Sequence, residues 1–487
     1  MGAESPREEC GIFGIWAPGE EVAKLCYFGI YALQHRGQEA AGMAVSDGER
    51  VIVYKDTGLV SQVFTESTLS ALPGSLGIAH TRYSTTGSST WENAQPSYRP
   101  VAARNSGVAL AHNGNLTNTL ALADRVREQR LGGMRSTTDS DLVCALLAEH
   151  DGTLDEAIAE IVPTLEGAFS MVVMDEHELY AFRDRAGIRP LSLGRLENGG
   201  WVVASETCAF DIVGAEFVRD IEPGEIVRIG EDGLRSTIFA PPMPKLCIFE
   251  YVYLARPDSV LEGVTVHETR REMGRILAEE APVEADLVIG VPDTGPVAAA
   301  GFAEVSTIPF GDGLIKNRYV GRTFIQPTDT MRQLGIRLKL NPLKTAVKGK
   351  RLVVVDDSIV RGNTTRQLVK ILREAGATEV HLRITSPPVR WPCFYGIDMA
   401  TRAELIASEL GIEEIRNYIG ADSLAYLSVP ALIRATTKAA EGTCHACFDG
   451  IYPIPIPEQV DPKHVLEMVP DQPPVEIPVG EAPLPLE

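Results

Sequence analysis

No apolar run in the 487-residue sequence approaches the roughly 18 residues that cross a bilayer as a helix, so no membrane segment is expected. Residues 1–9, MGAESPREE, are polar and mostly acidic and contain no apolar stretch, so they do not read as a secretory signal. Cysteine is sparse. Eight in so long a chain make no disulfide scaffold and point to the reducing cytoplasm. Basic residues are in deficit, 45 Lys+Arg against 66 Asp+Glu, and the net charge of −21 argues against nucleic acid or anionic lipid as the main partner. There is no internal repeat. What remains is ordinary for globular protein, 44% hydrophobic and 23% charged. At roughly 100–200 residues per domain the length allows two to four domains.

The pattern changes near residue 240. Before it, Val51–Tyr54, Ser75–His80, Gly107–His112 and Ala168–Met174 are short apolar runs bounded by Gly, Ser or charge, which predicts strands. Asp139–Glu149 reads as a helix with Leu142, Ala145 and Leu146 on one face. Ala240–Pro244, APPMP, reads as an extended linker. Beyond it, Asp286–Val291 and Leu352–Val355 read as strands, each followed by a polar loop and a helix, the second helix over Thr365–Ala375. Such alternation predicts a parallel sheet covered on both faces, with ligands beyond the carboxyl ends of its strands. The last 35 residues, from Pro453, hold ten prolines and seven acids against one lysine and predict no regular core.

Cys10 opens the segment CGIFGIW, and a cysteine before an apolar strand is by itself most often a packing residue. Its company is different. His80-Thr81-Arg82-Tyr83-Ser84-Thr85-Thr86-Gly87 and His112-Asn113-Gly114-Asn115-Leu116 each follow a strand, Ser136-Thr137-Thr138-Asp139 opens a helix, and Gln34–Gly42 reads QHRGQEAAG. Together these resemble the glutaminase domain of the N-terminal-nucleophile amidotransferases, over about residues 10–240. The resemblance implies that the mature chain starts at Cys10, so that residues 1–9 are a propeptide. A free α-amine, with a pKa of about 8, is a suitable base for the thiol beside it. It implies an oxyanion hole from Asn113 and Gly114, and a glutamine site from Arg82 on the α-carboxylate, Asp139 on the ammonium, and Thr85. Asp139 also reads as a helix N-terminal acid that stabilises the dipole. His35 and Arg36 read as structural.

In the second half, Val353-Val354-Val355-Asp356-Asp357-Ser358-Ile359-Val360-Arg361-Gly362-Asn363-Thr364-Thr365 resembles the phosphoribosyl pyrophosphate motif of the type I phosphoribosyltransferases. Backbone N–H groups and threonine hydroxyls at the helix start can cradle a 5-phosphate without lysine. Asp356 and Asp357 suit ribose hydroxyls or Mg²⁺. Val291-Pro292-Asp293-Thr294-Gly295-Pro296 resembles the family's pyrophosphate loop, with Thr294 where serine is more frequent and a place for its hydroxyl at the metal. Residues 316–351 carry ten Lys+Arg and one acid, leaving −30 on the rest of the chain. The run lacks helix periodicity and has few aromatics, so nucleic acid is disfavoured. The resemblance implies instead a loop that orders over phosphoribosyl pyrophosphate, with Tyr319, Arg337 and Lys339 as substrate contacts.

Cys444 and Cys447 form a C-x-x-C pair, which alone suits zinc or redox chemistry as well. With Cys247 and Cys393 they resemble the iron–sulfur site of one amidotransferase branch, which implies a [4Fe–4S] cluster stapling the ends of residues 241–452. Cys26, Cys144 and Cys208 read as core.

Over residues 10–452 the chain thus resembles the glutamine phosphoribosylpyrophosphate amidotransferases of the Bacillus type. That implies an N-terminal-nucleophile αββα sandwich over 10–240, then a type I phosphoribosyltransferase doubly wound parallel sheet over 241–452, with 453–487 as a Pro-rich acidic tail. It also implies glutamine and phosphoribosyl pyrophosphate as substrates, purine nucleotides as inhibitors and a homotetramer. Two rivals have distinct signatures. A phosphoribosyl-pyrophosphate-sensing regulator would carry a basic DNA-binding element, and an amino-sugar-phosphate-forming amidotransferase would lack Asp356-Asp357 and the four cysteines.

Overall fold

The computed structural model describes residues 10–83, 90–101, 106–128, 136–317, 340–397, 401–438 and 440–456. Residues 1–9, Thr85, Tyr319, Arg337, Lys339 and most of the Pro-rich tail lie outside the described residues.

Two antiparallel sheets build the first half. One has seven strands in the order Ala215–Asp220, Ser192–Leu196, Trp201–Ala204, Gly11–Trp16, Leu76–Arg82, Ala40–Ser46, Val51–Thr57. The other has six, in the order Gly233–Ile238, Glu225–Gly230, Leu179–Arg183, Gly167–Met174, Ser106–Leu116, Ser97–Val101. Alternate side chains explain how they stack. Ile12, Ala44 and Ile78 from the first sheet share one core with Ala109, Ala111, Val172 and Met174 from the second. Phe13, Ile15, Met43 and Ala79 point the other way, onto the helices Val22–Ala32 and Cys208–Val213. Leu110, Met171 and Val173 turn to the helices Thr119–Glu128, Asp139–Ala148 and Leu154–Ile161. The layers are therefore helix, sheet, sheet, helix, as the expected sandwich requires.

The exposed Pro-rich stretch 241–245 has no regular structure, and a four-stranded parallel sheet follows, in the order Leu287–Gly290, Arg351–Asp356, Glu379–Ile384, Ser423–Tyr426. Within its second strand Val353 and Val355 enter one core, against the helices Val266–Glu280 and Gly295–Ser306. Leu352 and Val354 enter the other, against Asn363–Glu374 and Ile412–Ile419. Burial on both faces accounts for the uninterrupted valines, each contributing roughly 1.5–3 kcal/mol. The helix after Asp356–Asp357 starts at Asn363, two residues earlier than periodicity indicated, because Gly362 at φ +80° supplies its N-cap and lets the loop turn straight into it.

Candidate active sites

Cys10 sits at the entrance to the central strand Gly11–Trp16, whose first residue pairs with Thr81. That register brings residues about seventy positions apart together. The Cys10 Sγ donates to the Tyr83 carbonyl at 3.4 Å, and Arg36 Nε donates to the Cys10 carbonyl at 3.2 Å. Cys10, Arg82, Tyr83, Gln95, His112, Gly114, Thr138, Asp139 and Ser140 line one pocket.

The second sheet supplies the opposite wall. Asn113 and Gly114 lie in the strand Ser106–Leu116, paired with Ser170 and Phe169. Gly114 has φ +141°, and a Cβ there would meet the Ala168 carbonyl oxygen at 2.0 Å, so no other residue fits. Asn113 is 1% exposed, yet among the described residues neither Nδ2 nor Oδ1 has a hydrogen-bond partner. A buried amide with both ends unsatisfied is uncommon and calls for an explanation.

Asp139 is the first residue of a helix whose N-cap, Thr138, accepts from Asp141 N–H. Its carboxylate accepts from Leu116 N–H at 3.0 Å and Ser140 N–H at 2.9 Å, and lies 3.7 Å from His112 Nδ1. Burial opposes its ionisation, but His112 and the two amides outweigh burial and hold its pKa below the ordinary aspartate value. Arg82 is equally enclosed. Burial pulls its pKa below the usual guanidinium value, against the pull of Cys10, Glu39 and Asp139. The pocket thus offers a thiol, an anion and a cation in one enclosure, which matches the groups an α-amino acid amide presents.

Arg36, a structural arginine by its motif, touches the backbone of Cys10. The pocket also holds Gln95, which no sequence motif singles out; its Oε1 accepts from His112 N–H at 2.7 Å and its Nε2 donates to Ser140 Oγ at 3.0 Å. The motif around Gln34–Gly42 carried the signal for Arg36; nothing local marked Gln95.

In the second half, Asp356 ends its strand and Asp357 follows it, at the carboxyl edge of the parallel sheet. The Thr294 hydroxyl donates to Asp357 Oδ2 at 2.5 Å, and the Ser358 hydroxyl donates to Asp357 Oδ1 at 2.5 Å. The two loops expected to share a metal are therefore in contact. Burial, and then the charge of Asp357, push the Asp356 carboxyl pKa up; burial raises Asp357 too, opposed by Ser358, Thr294 and Arg270. Asn363, Thr364 and Thr365 form the first turn of the helix Asn363–Glu374. Two side chains face elsewhere: Arg361 donates to Glu404 at 3.1 Å, and Asn363 Oδ1 accepts from the Tyr418 hydroxyl at 2.5 Å. Lys316 pairs with Asp293 of the pyrophosphate-type loop.

The four named cysteines gather from three segments. Cys247 and Cys444 are directly paired in two short parallel strands, and Cys447 lies within electrostatic reach of Cys247, Cys444 and Cys393. Burial pushes the Cys444 thiol up to about 12 and raises Cys447 as well. None of the eight cysteines is in a disulfide. Among the described residues no three His, Cys, Asp or Glu side chains are grouped to hold a metal ion. The donor set is all sulfur, buried at Cys247, Cys444 and Cys447 and half-buried at Cys393, and sulfur suits a soft metal body with thiolate ligands.

The two halves touch at these sites. Asn115 Nδ2 donates to the Phe394 carbonyl at 3.1 Å, and a Cβ on Gly396 would stand 3.0 Å from Gly114 Cα. Among the described residues no helix is long and apolar enough to cross a membrane.

Comparison with known proteins matches residues 80–211 to a glutamine amidotransferase domain and residues 266–385 to a phosphoribosyl transferase domain. The chain is 63% identical over 475 residues to an amidophosphoribosyltransferase of Mycobacterium leprae (strain TN), covering 95% of this chain and 85% of that protein. It is 47% identical over 470 residues to the amidophosphoribosyltransferase of Bacillus subtilis (strain 168), covering 95% and 98%. Among solved structures it resembles the glutamine phosphoribosylpyrophosphate amidotransferase of B. subtilis complexed with ADP and GMP, with a TM-score of 0.87 and 45% identity, over 94% of this chain and all of that one.

Proposed function

Since the chain belongs to the amidophosphoribosyltransferase family, we propose that Cys10 hydrolyses glutamine and that the ammonia released displaces pyrophosphate from phosphoribosyl pyrophosphate. The products are glutamate, pyrophosphate and 5-phosphoribosylamine, the first committed step of de novo purine biosynthesis. The observation that carries this reading is Asn113: a buried amide with nothing to bond, next to the Gly114 that faces Cys10 across the pocket. An oxyanion formed there would supply its missing partner.

The chemistry follows from the groups in place. With residues 1–9 removed, the α-amine of Cys10 takes the thiol proton, and the sulfur attacks the side-chain carbonyl carbon of glutamine. Arg82 holds the α-carboxylate and Asp139 the α-ammonium, and Thr85 is a further contact for the amino acid. The tetrahedral oxyanion lies against the Asn113 amide and the Gly114 N–H; its collapse expels ammonia, which takes the proton back from the Cys10 α-ammonium, and water then hydrolyses the thioester to glutamate and the free thiol. Gly114 abuts Gly396 of the other half, so ammonia released beside Gly114 starts its internal passage at the boundary between the halves. Ammonia then forms the bond to ribose C1 as the bond to pyrophosphate breaks. That step depends on positioning and on neutralising the leaving group more than on a strong base. The loop of Ser358, Arg361, Gly362, Asn363, Thr364 and Thr365 cradles the 5-phosphate through its backbone N–H groups and threonine hydroxyls, and Tyr319, Arg337 and Lys339 are further contacts for the substrate. Asp356, Asp357 and Thr294 would hold Mg²⁺, which supplies positive charge against the pyrophosphate. Cys247, Cys393, Cys444 and Cys447 would hold a [4Fe–4S] cluster, which supplies a crosslink between the ends of the domain.

Purine nucleotides share the 5-phosphate of the substrate, and the B. subtilis neighbour is complexed with ADP and GMP, which supports inhibition by nucleotides. Exposed Phe28, Tyr31, Ile212, Phe217 and Val218 support self-association, here as a homotetramer. Eight cysteines, none of them in a disulfide, support a cytoplasmic location.

The test separates the halves. Cys10→Ala abolishes synthesis from glutamine and spares synthesis from ammonium at high pH. Asp356→Asn with Asp357→Asn abolishes both syntheses. Loss of the ammonium reaction in a folded Cys10→Ala protein would sink the two-site reading.

A further inference from the structure

Behind Cys10 lies a knot of buried charge that the chemistry above leaves unused. Arg36 is 1% exposed, and Arg189, Glu206 and Glu250 are fully buried. Arg36 donates to Glu206 Oε1 at 2.5 Å, and to both oxygens of Glu250, at 3.0 Å from one terminal nitrogen and 2.8 Å from the other. The remaining Arg36 nitrogen, Nε, is the one on the Cys10 carbonyl. Arg189 stands 3.6 Å from Glu250 and donates twice to the Tyr395 carbonyl. Glu206 Oε2 accepts from Ser259 Oγ at 2.6 Å and from Arg256 N–H at 2.9 Å.

Cys10, Arg36, Arg189 and Glu206 precede the Pro-rich stretch 241–245; Glu250, Arg256, Ser259 and Tyr395 follow it. The nucleophile's backbone is therefore gripped by a cation held by one carboxylate of its own half, Glu206, and on two nitrogens by one of the other half, Glu250. Stability alone is a poor reason for such a knot, since well-packed apolar residues commonly hold an interface as firmly as buried ion pairs do. Direction is a better one. A bidentate carboxylate fixes the plane of a guanidinium, and that plane decides where Nε points. The Cα of Cys10 carries both the attacking sulfur and the amine that serves as base, so a small rotation of its carbonyl misplaces both.

We propose that Glu250, a residue of the transferase half, is a positioning residue for the glutaminase reaction, acting through Arg36 on Cys10. The proposal rests on the reading of Cys10 as nucleophile. Glu250 opens a five-residue π-helix, Glu250–Leu254, a form found mostly at functional sites. Arg270 anchors that turn by donating to the Tyr251 carbonyl at 2.8 Å and the Ala255 carbonyl at 2.7 Å, so the carboxylate stands on a braced support.

Glu250→Gln keeps the shape and removes the charge and one acceptor. In the full processed chain with its metals, the glutamine kcat should fall at least tenfold. The glutamine KM should stay within twofold, because Arg82 and Asp139 are untouched, and ammonium-dependent synthesis should be unchanged. Arg36→Lys should behave alike, and the double variant should be no worse than the poorer single one, as expected of residues acting as a unit. General loosening of the interface would raise KM, lower the ammonium reaction too and make the losses additive; any of these overturns the proposal, as does full glutamine kcat in Glu250→Gln. If Glu250→Gln does not fold, Arg36→Lys carries the same kcat-against-KM test. Glutamine hydrolysis surviving in Cys10→Ala would instead overturn the nucleophile assignment.

Discussion

Replacing Asn113 with leucine should make a poorer glutaminase and a more stable protein. The side chain is 1% exposed and both its polar atoms lack partners. An amide left unpaired in the interior costs about 1–3 kcal/mol, and an apolar residue of similar volume removes that cost. The shape change from a planar amide to a branched isobutyl group takes back under about 1.5 kcal/mol. At the middle of both ranges the net gain is about 1 kcal/mol, which in a unit of this size raises the melting temperature by about 2–4 °C. The catalytic loss runs the other way, since one oxyanion donor is worth about 10²–10³ in kcat. Calorimetry of the wild type and variant gives the first number, and glutamate release under saturating glutamine gives the second. Ammonium-dependent synthesis should be unchanged, because the Asp356–Asp357 loop is untouched. A lowered melting temperature together with an intact glutaminase kcat would refute the oxyanion role, since the amide would then have been stabilising and catalytically idle.

The acidic pair at the carboxyl edge of the parallel sheet gives a pH prediction with a definite sign. Folded carboxyls raised above their unfolded pKa make the native state bind more protons, so stability falls as pH rises from the ordinary aspartate value through the raised ones. Mg²⁺ at neutral pH should therefore raise the melting temperature; Asp356→Asn should raise it without Mg²⁺ and abolish the ion's effect, and an equal Mg²⁺ shift in the variant would contradict the site. Anaerobically purified protein should be brown, with about four irons per chain by elemental analysis, and Cys393→Ser should be iron-free and poorly folded; one zinc and no iron would overturn the cluster. Glutaminase activity should require removal of residues 1–9, because a peptide-bonded nitrogen is no base; mass spectrometry of an active preparation that retains Met1 would contradict this.

Local signals carried much of this protein. The apolar run Leu352–Val355 ending in two aspartates, then a polar loop and a helix, was legible because strand length, burial on both faces and an N-terminal helix turn are all encoded within about twenty residues. The same holds for Cys10 ahead of its strand, and for Asp139 at a helix start capped by Thr138. The four cysteines could be singled out because they stand in three distinctive segments, two of them as the C-x-x-C pair Cys444 and Cys447. Boundaries were less legible: the helix begins at Asn363 because Gly362 adopts a conformation that periodicity does not register.

Tertiary structure decided what meets what. Gly11 pairs with Thr81 through a sheet register, and only that pairing puts Cys10 beside Arg82 and Tyr83. Arg36 looked like a structural arginine because its partners, Glu206 and Glu250, lie some 170 and 214 residues away. Arg361 reads as a phosphate ligand in its motif, yet its guanidinium pairs with Glu404 from a segment that sequence spacing does not connect to it. The physical reason is common to all three. Periodicity and capping are set by neighbours in the chain, whereas a buried charge or polar group takes whichever partner the packed layers bring within reach, and no local pattern specifies that partner.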